Sequence, residues 1–256
     1  MVGGIEMFRK LDNRALIHYR IVAKSDLHVG GHTTIEPAEV DNPVIKNSDG
    51  VPIIPGSSLK GVLRTEMERL LRGLNTVKVC DIFDNKARGG CNECPVCNLF
   101  GGKDLASSIR IRDAIADSKK TLVRDGVAID RQSRKAKPGG KYDTEVVPKG
   151  TVFTGILTIE NTGLKDVYDK AKLGAFLSLT DFFNVCCGSI GHAVSRGFGE
   201  AEIHIDRINL ITAEDYLEGR YEGREYASGT DEFADLKDQS RVDWAGAIKS
   251  GEYEQV

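Results

Sequence analysis

The sequence predicts an α+β fold: an antiparallel sheet with helices on one face. Two observations carry this. RALIHYRIVAK and TVFTGILTIE alternate like half-buried strands. The elements also follow in the order strand, helix, strands, helix, strand, with no internal repeat. At 256 residues, with 40% hydrophobic and 29% charged side chains, the chain can bury a sizeable core and is not a disordered polymer. It contains no run of about 18 apolar residues, so no membrane span is expected. The opening MVGGIEMFRKLDNRAL lacks the apolar core of a secretory signal, and a cytoplasmic protein is expected.

Taken in order, residues 14–24 read as the first strand. A glycine-containing loop, LHVGGH, and the segment VDNPVIK (residues 40–46) follow, with a turn at Asn47-Ser48-Asp49-Gly50. Residues 51–54 form a short apolar strand stopped by Pro55-Gly56. A helix is expected next, with Ser57 or Ser58 as its N-cap and Leu59, Val62, Leu63, Met67, Leu70 and Leu71 on its core face. Residues 76–102 are loop-like and rich in cysteine. SIRIRD (108–113) reads as a strand with Arg110 and Arg112 on one face, and residues 126–147 as a long hairpin with a basic tip, RQSRKAKPGGK. Residues 151–160 are a strand, 164–185 a helix, 188–199 a glycine-rich loop and 201–205 a further strand. Beyond residue 211 the periodicity fades, and residues 211–256 are expected to be an acidic extension of a domain spanning 1–210. Ferredoxin-like and RNA-recognition-type folds share this grammar.

The net charge of -3 says nothing for a polyanion partner, but its distribution is uneven. Residues 211–256 carry 12 acidic and 5 basic side chains, which leaves the remainder with 26 acidic and 30 basic. A mildly basic body with an acidic tail is compatible with nucleic acid. On charge alone, a plain soluble protein is the favoured reading.

Cys80, Cys91, Cys94 and Cys97 are spaced C-x10-C-x2-C-x2-C. Four thiolates on a tight knuckle can converge on one tetrahedral structural zinc, in an insertion of about residues 78–102 that offers turn residues and little core. The triad Cys91, Cys94, Cys97 also has iron–sulfur spacing, without the following Cys-Pro, and disulfides are a third reading. A deaminase zinc would need an H-x-E partner, which the sequence lacks. Cys186 and Cys187, at the end of an apolar helix, are expected in the core.

Three groups of segments carry a family likeness: LHVGG with VDNPVIK and IPGSSLKGVLRTEM; LFGG with SIRIRDA; and AIDRQSRKA with TEVVPKGTVF and GHAVSRGFGEA. In that order, over residues 14–206, they resemble the RAMP superfamily, and more closely the backbone subunit of type III CRISPR effector complexes of the Csm-like III-A or III-D kind. The resemblance implies an RNA-recognition-like core, a thumb hairpin at about 126–147 that wedges between guide bases, and several copies polymerised along a guide CRISPR RNA beside other complex subunits. It implies that complementary target RNA is cut at regular intervals, with the family's D-x-P aspartate falling on Asp41 and a divalent cation such as magnesium taking part. It places guide-RNA contacts on Lys60, Arg64 and Arg131 and the family histidine on His28.

The residues themselves say less. RNA supplies its own nucleophile, the 2′-OH, and one carboxylate can serve as base or hold a hydrated magnesium ion. Asp41 taken alone reads as a turn former. Lys60 and Arg64, at i and i+4, share a helical face, and the backbone N–H groups around Ser57 and Ser58 favour an anion. Arg196, in the glycine loop, is a candidate phosphate contact, and His192 beside it reads equally as structural. His28 could move a proton near neutral pH or simply shape its loop. Two alternatives remain: a metal-independent endoribonuclease that matures CRISPR precursor RNA by histidine chemistry, and a structural RNA-binding subunit without activity.

Overall fold

The computed structural model describes residues 10–31, 40–74, 77–83, 89–163 and 170–250. The central strand is β1, Asn13–Ala23, whose alternation places Ala15, Ile17, Tyr19, Ile21 and Ala23 in the core and the residues between them on the other face. It pairs antiparallel with β7, Val152–Glu160, and β8, Ala201–Thr212. Ile17 stands opposite Leu157 on one side and Ile208 on the other. Around this trio lie β2 (Ile53–Ile54), β3 (Ile109–Ile111), β4 (Ala114–Ala116) and β9 (Arg224–Ala227). The path across the sheet is β2-β4-β7-β1-β8-β9, with β3 also on β7. The mixed α+β class with an antiparallel sheet is therefore as the sequence predicts.

Helix α1, Gly56–Leu74, buries Leu59, Leu63, Met67 and Leu71, each worth about 1.5–3 kcal/mol of transfer free energy. Neither Ser57 nor Ser58 caps it, contrary to expectation. The helix begins one residue earlier, and the carboxylate of Asp113 accepts the Gly56 N–H at 2.8 Å. Residues 108–113 are not one strand either: β3 and β4 are separated by Arg112 and Asp113, which frees Asp113 for this contact. Helix α2, Pro95–Phe100, lies in the cysteine insertion.

Helix α3, Ala171–Val185, is buried on almost every side. The expected start near residue 164 lies outside the described residues. Its companion is α5, Asp231–Lys249, which reaches it so closely that a Cβ on Gly174 would stand 1.8 Å from the Ser240 carbonyl oxygen. The expected boundary near residue 210 thus falls inside β8, and the tail adds β9 and α5 to the same core, after the short, largely exposed helix α4 (Ala213–Leu217). Leu236, Ser240 and Ile248 of α5 are buried, and Phe233, Trp244 and Ala247 are partly so. That apolar stripe is narrow and set among acidic residues, which is why it fades in a sequence reading. Cys186 and Cys187 are exposed rather than in the core, because α3 ends at Val185 and Cys187 takes a left-handed turn (φ 52°).

The long hairpin is β5, Leu122–Ile129, and β6, Ala136–Val146, a separate two-stranded ribbon. Most of its length is exposed, and only its foot, at Glu145 and Val146, is buried. Among the described residues no helix is long and apolar enough to cross a membrane.

Candidate nucleic-acid interface and metal centre

The hairpin foot meets the two glycine loops around a cleft of about 410 Å³. Its walls include His28, Asn42, Asp125, Tyr142, His192 and Arg196. The loops are locked together: the His192 N–H donates to the His28 carbonyl at 2.8 Å, and a Cβ on Gly191 would lie 2.2 Å from that oxygen, so only glycine fits. Tyr142 lies across Gly126, whose missing side chain makes room for the ring, and its hydroxyl accepts from Arg196 Nη1 at 3.2 Å.

Asp41 is exposed at the rim, next to Asn42. Its Oδ2 accepts the Asp143 N–H at 2.9 Å. The Asn42 N–H donates to the Asp143 carbonyl and the Glu145 N–H to the Asn42 carbonyl, which sews the VDNPVIK segment to β6. Oδ1 of Asp41 takes no hydrogen bond among the described residues. Asp143 stands opposite Asp125 across the ribbon. Loss of solvation, then Asp125, then Asp41 push the Asp143 carboxyl above the usual range.

His28 is buried, and its Nδ1 lies 2.7 Å from the main-chain oxygen of Glu145. A carbonyl only accepts, so Nδ1 carries the proton when the ring is neutral and Nε2 is the free nitrogen. The His28 and His192 rings meet edge to face, 6.3 Å apart. Glu145 is the hub of the site and was not foreseen. Its carboxylate accepts from the Val44 N–H at 3.0 Å, Lys46 Nζ at 2.5 Å and Thr121 Oγ1 at 2.7 Å. Burial works against its charge, but these three donors outweigh it and hold the carboxyl below its usual value. In sequence, Glu145 is one more polar residue of an alternating strand, so no signal could have singled it out.

The α1 residues lie outside the cleft lining. Ser57 is exposed, and Ser58 and Lys60 are half-buried. Burial, and then the nearby Arg64, lower the Lys60 pKa. Arg64 is not the free cation its spacing suggested: it donates to Glu68, the Gly101 carbonyl and the Cys97 sulfur. At the hairpin tip Arg131, Arg134, Lys135, Lys137 and Lys141 are all exposed. The tip is an ordered turn, closed by Asp130 Oδ1, which accepts from the Gln132 and Ser133 N–H groups.

The four cysteines of the insertion converge, with all four sulfurs within 4.8 Å of one another. Cys80 Sγ lies 3.8 Å from Cys94 Sγ and 3.5 Å from Cys97 Sγ. A tetrahedron of Zn–S bonds of about 2.3 Å has edges of about 3.8 Å, so the cluster could bind a structural metal such as zinc. All six cysteines of the chain are free thiols. Pro95 starts α2 just after Cys94, whose sulfur caps the helix by accepting the Cys97 N–H at 3.5 Å. A hydrogen bond from Cys94 pulls the Cys97 thiol down to about 4, while that same bond and burial push Cys94 up.

Comparison with known proteins agrees with this architecture. The family model described as the RAMP superfamily matches residues 20–202. The CRISPR system Cms endoribonuclease Csm3 of Methanocaldococcus jannaschii is 26% identical over 251 residues, covering 92% of this chain and 96% of its own length. The protein of the same name from Methanothermobacter thermautotrophicus is 33% identical over 98 residues, 36% of this chain and 35% of its own. The chain is related to Csm3 over most of its length, and by the family match it belongs to the RAMP superfamily.

Proposed function

We propose that this chain is a backbone subunit of a type III CRISPR effector complex, which binds guide RNA and cleaves complementary target RNA at Asp41. The observation that carries the reading is the position of Asp41: a carboxylate with one oxygen pinned by the Asp143 N–H, at the foot of an exposed basic hairpin. The ribbon also bares Leu122, Val123, Val127 and Ile129. Aliphatic side chains beside Arg131, Lys135 and Lys137 suit a wedge against bases flanked by phosphates. Asp41 then sits where a backbone displaced by the wedge would pass.

The chemistry needs little from the protein. The target's 2′-OH must lie in line with its phosphate, and its proton must leave. Asp41 is the residue for that proton or for a divalent cation, and Asp143 adds negative charge beside it. The cation, when bound, would polarise the phosphate and favour an ionised hydroxyl. Arg196, held by Tyr142, faces the cleft as a phosphate ligand. Lys60 and the N–H groups at Ser57 and Ser58 would hold the guide strand, with several copies, other subunits of the complex, the guide CRISPR RNA and the target RNA as partners.

The test is target-RNA cleavage by the assembled complex, with wild type and Asp41→Ala side by side, plus and minus magnesium. A variant that assembles and binds target but does not cut supports the reading. Equal cutting by both would reduce the chain to a scaffold. The His28–His192 pair across the same cleft favours a second reading, metal-independent cleavage of precursor RNA by this chain alone. Cleavage that persists in chelator and disappears with His28→Ala would establish it in place of the first.

A further inference from the structure

Arg64, Glu68 and Arg72 follow one another at intervals of four along α1, so they share one face of the helix. The cysteine loop docks against them. Arg64 Nη1 donates to the Gly101 carbonyl at 2.9 Å and Nη2 to the Cys97 sulfur at 3.8 Å. Arg72 Nη2 donates to the Cys80 carbonyl at 3.0 Å. Glu68 joins the two, 3.0 Å from Arg64 Nε and 3.5 Å from Arg72 Nη2. The Arg64 side chain is 16% exposed, so it is not a solvated cation awaiting a phosphate.

Charge balance explains the row. Four thiolates around a divalent ion leave two negative charges, and two of the four sulfurs belong to the buried Cys94 and Cys97. Charge held away from water is strongly unfavourable unless paired. Main-chain N–H groups meet the sulfurs of Cys80, Cys91 and Cys94 at 3.3–3.5 Å. Those are dipoles. Arg64 brings a full positive charge, at Cys97, and its planar fork holds sulfur and carbonyl together. Glu68 fixes the fork without cancelling the row's net positive charge, because Arg72 shares the same carboxylate.

The geometry points to Arg64 as a positioning and charge-balancing residue of the cysteine metal centre, oriented by Glu68, rather than as a ligand of RNA. This rests on the reading that the cluster holds a metal ion such as zinc, and it is independent of where RNA is cut.

The experiment is competition for zinc between the full-length chain and a chromophoric chelator. Arg64→Met, which keeps much of the volume and removes the charge, should bind zinc about 10–100-fold more weakly. Arg64→Lys should fall between, and Arg69→Ala, on the exposed side of α1, should match wild type. Wild-type zinc affinity in Arg64→Met overturns the proposal. If that variant does not fold, cobalt replaces zinc in Arg64→Lys: a shifted thiolate-to-cobalt absorption band supports the contact, and an unmoved band overturns it. A wild-type chain that retains no metal overturns the metal reading and this proposal together, whereas metal retained equally by wild type and Arg64→Met overturns this proposal alone.

Discussion

His28 and Glu145 are joined through the backbone: the ring nitrogen Nδ1 lies 2.7 Å from the Glu145 main-chain oxygen, while the carboxylate of the same residue holds Val44, Lys46 and Thr121. One residue of β6 therefore sets both the tautomer of His28 and the path of the segment that carries Asp41. Replacing Glu145 by Gln keeps the shape and removes the charge. Charge-assisted hydrogen bonds contribute about 1.5–3 kcal/mol each, and loss of that assistance should lower stability by about 2 kcal/mol, read as a fall in the thermal midpoint.

The same residue gives a pH dependence with a definite sign. The folded-state carboxyl of Glu145 is held below its ordinary value of 4.5. Its contribution is therefore fully present above 4.5 and is lost as pH falls through the lower folded value. Wild type should lose stability on acidification below about pH 4.5 more steeply than Glu145→Gln. Parallel slopes in thermal unfolding across that window would show that Glu145 is not the linked group.

Asp41→Asn should leave the chain folded, because an amide oxygen can still accept the Asp143 N–H. General-base roles are worth about 10²–10⁴-fold in rate, so target cleavage should fall by at least about 10²-fold. Target binding, measured by filter retention, should stay within a factor of about three, since Asp41 contributes no positive charge to phosphate.

What the sequence made legible follows from range. β1 and β7 were readable because period-two alternation is local. The knuckle was readable because its last three cysteines are spaced three positions apart in one short run. The cap of α1 was not, because Asp113 is 57 residues from Gly56 and no nearby pattern announces it. Arg64 and Lys60 looked alike on a helical wheel. Only the packing of a loop some thirty residues away, at Cys97 and Gly101, distinguishes them. The tail was legible as an acidic extension but its docking was not, because α5 needs only a thin apolar stripe to cover α3 and acidic residues dominate its composition.

That packing gives a direct test of the tail. Gly174→Ala would put a methyl group 1.8 Å from the Ser240 carbonyl oxygen, a main-chain atom that can move only with α5. Overpacking of this kind costs about 1–3 kcal/mol and sometimes more. Unfolding should therefore occur at lower denaturant, with α5 cut sooner in limited proteolysis. Gly61→Ala, with nothing within 4 Å of the added Cβ, is the matched control and should not destabilise α1. Equal behaviour of the two variants would mean that α5 does not dock on α3.

The hairpin makes the last prediction, and salt separates its two possible roles. If the tip only stiffens the fold, Arg131→Ala and Lys137→Ala leave RNA affinity unchanged at every ionic strength. If each side chain neutralises one phosphate, each substitution weakens binding similarly on all sequences and reduces the slope of log K against log salt by about 0.7–0.9. Both residues are exposed on a ribbon that makes few contacts with the core, so stability should not change with either. The turn itself is protected, because Asp130 accepts from Gln132 and Ser133 whichever side chain occupies position 131. A lowered slope at constant thermal midpoint therefore assigns the basic tip to the RNA backbone, and a constant slope removes it from the interface.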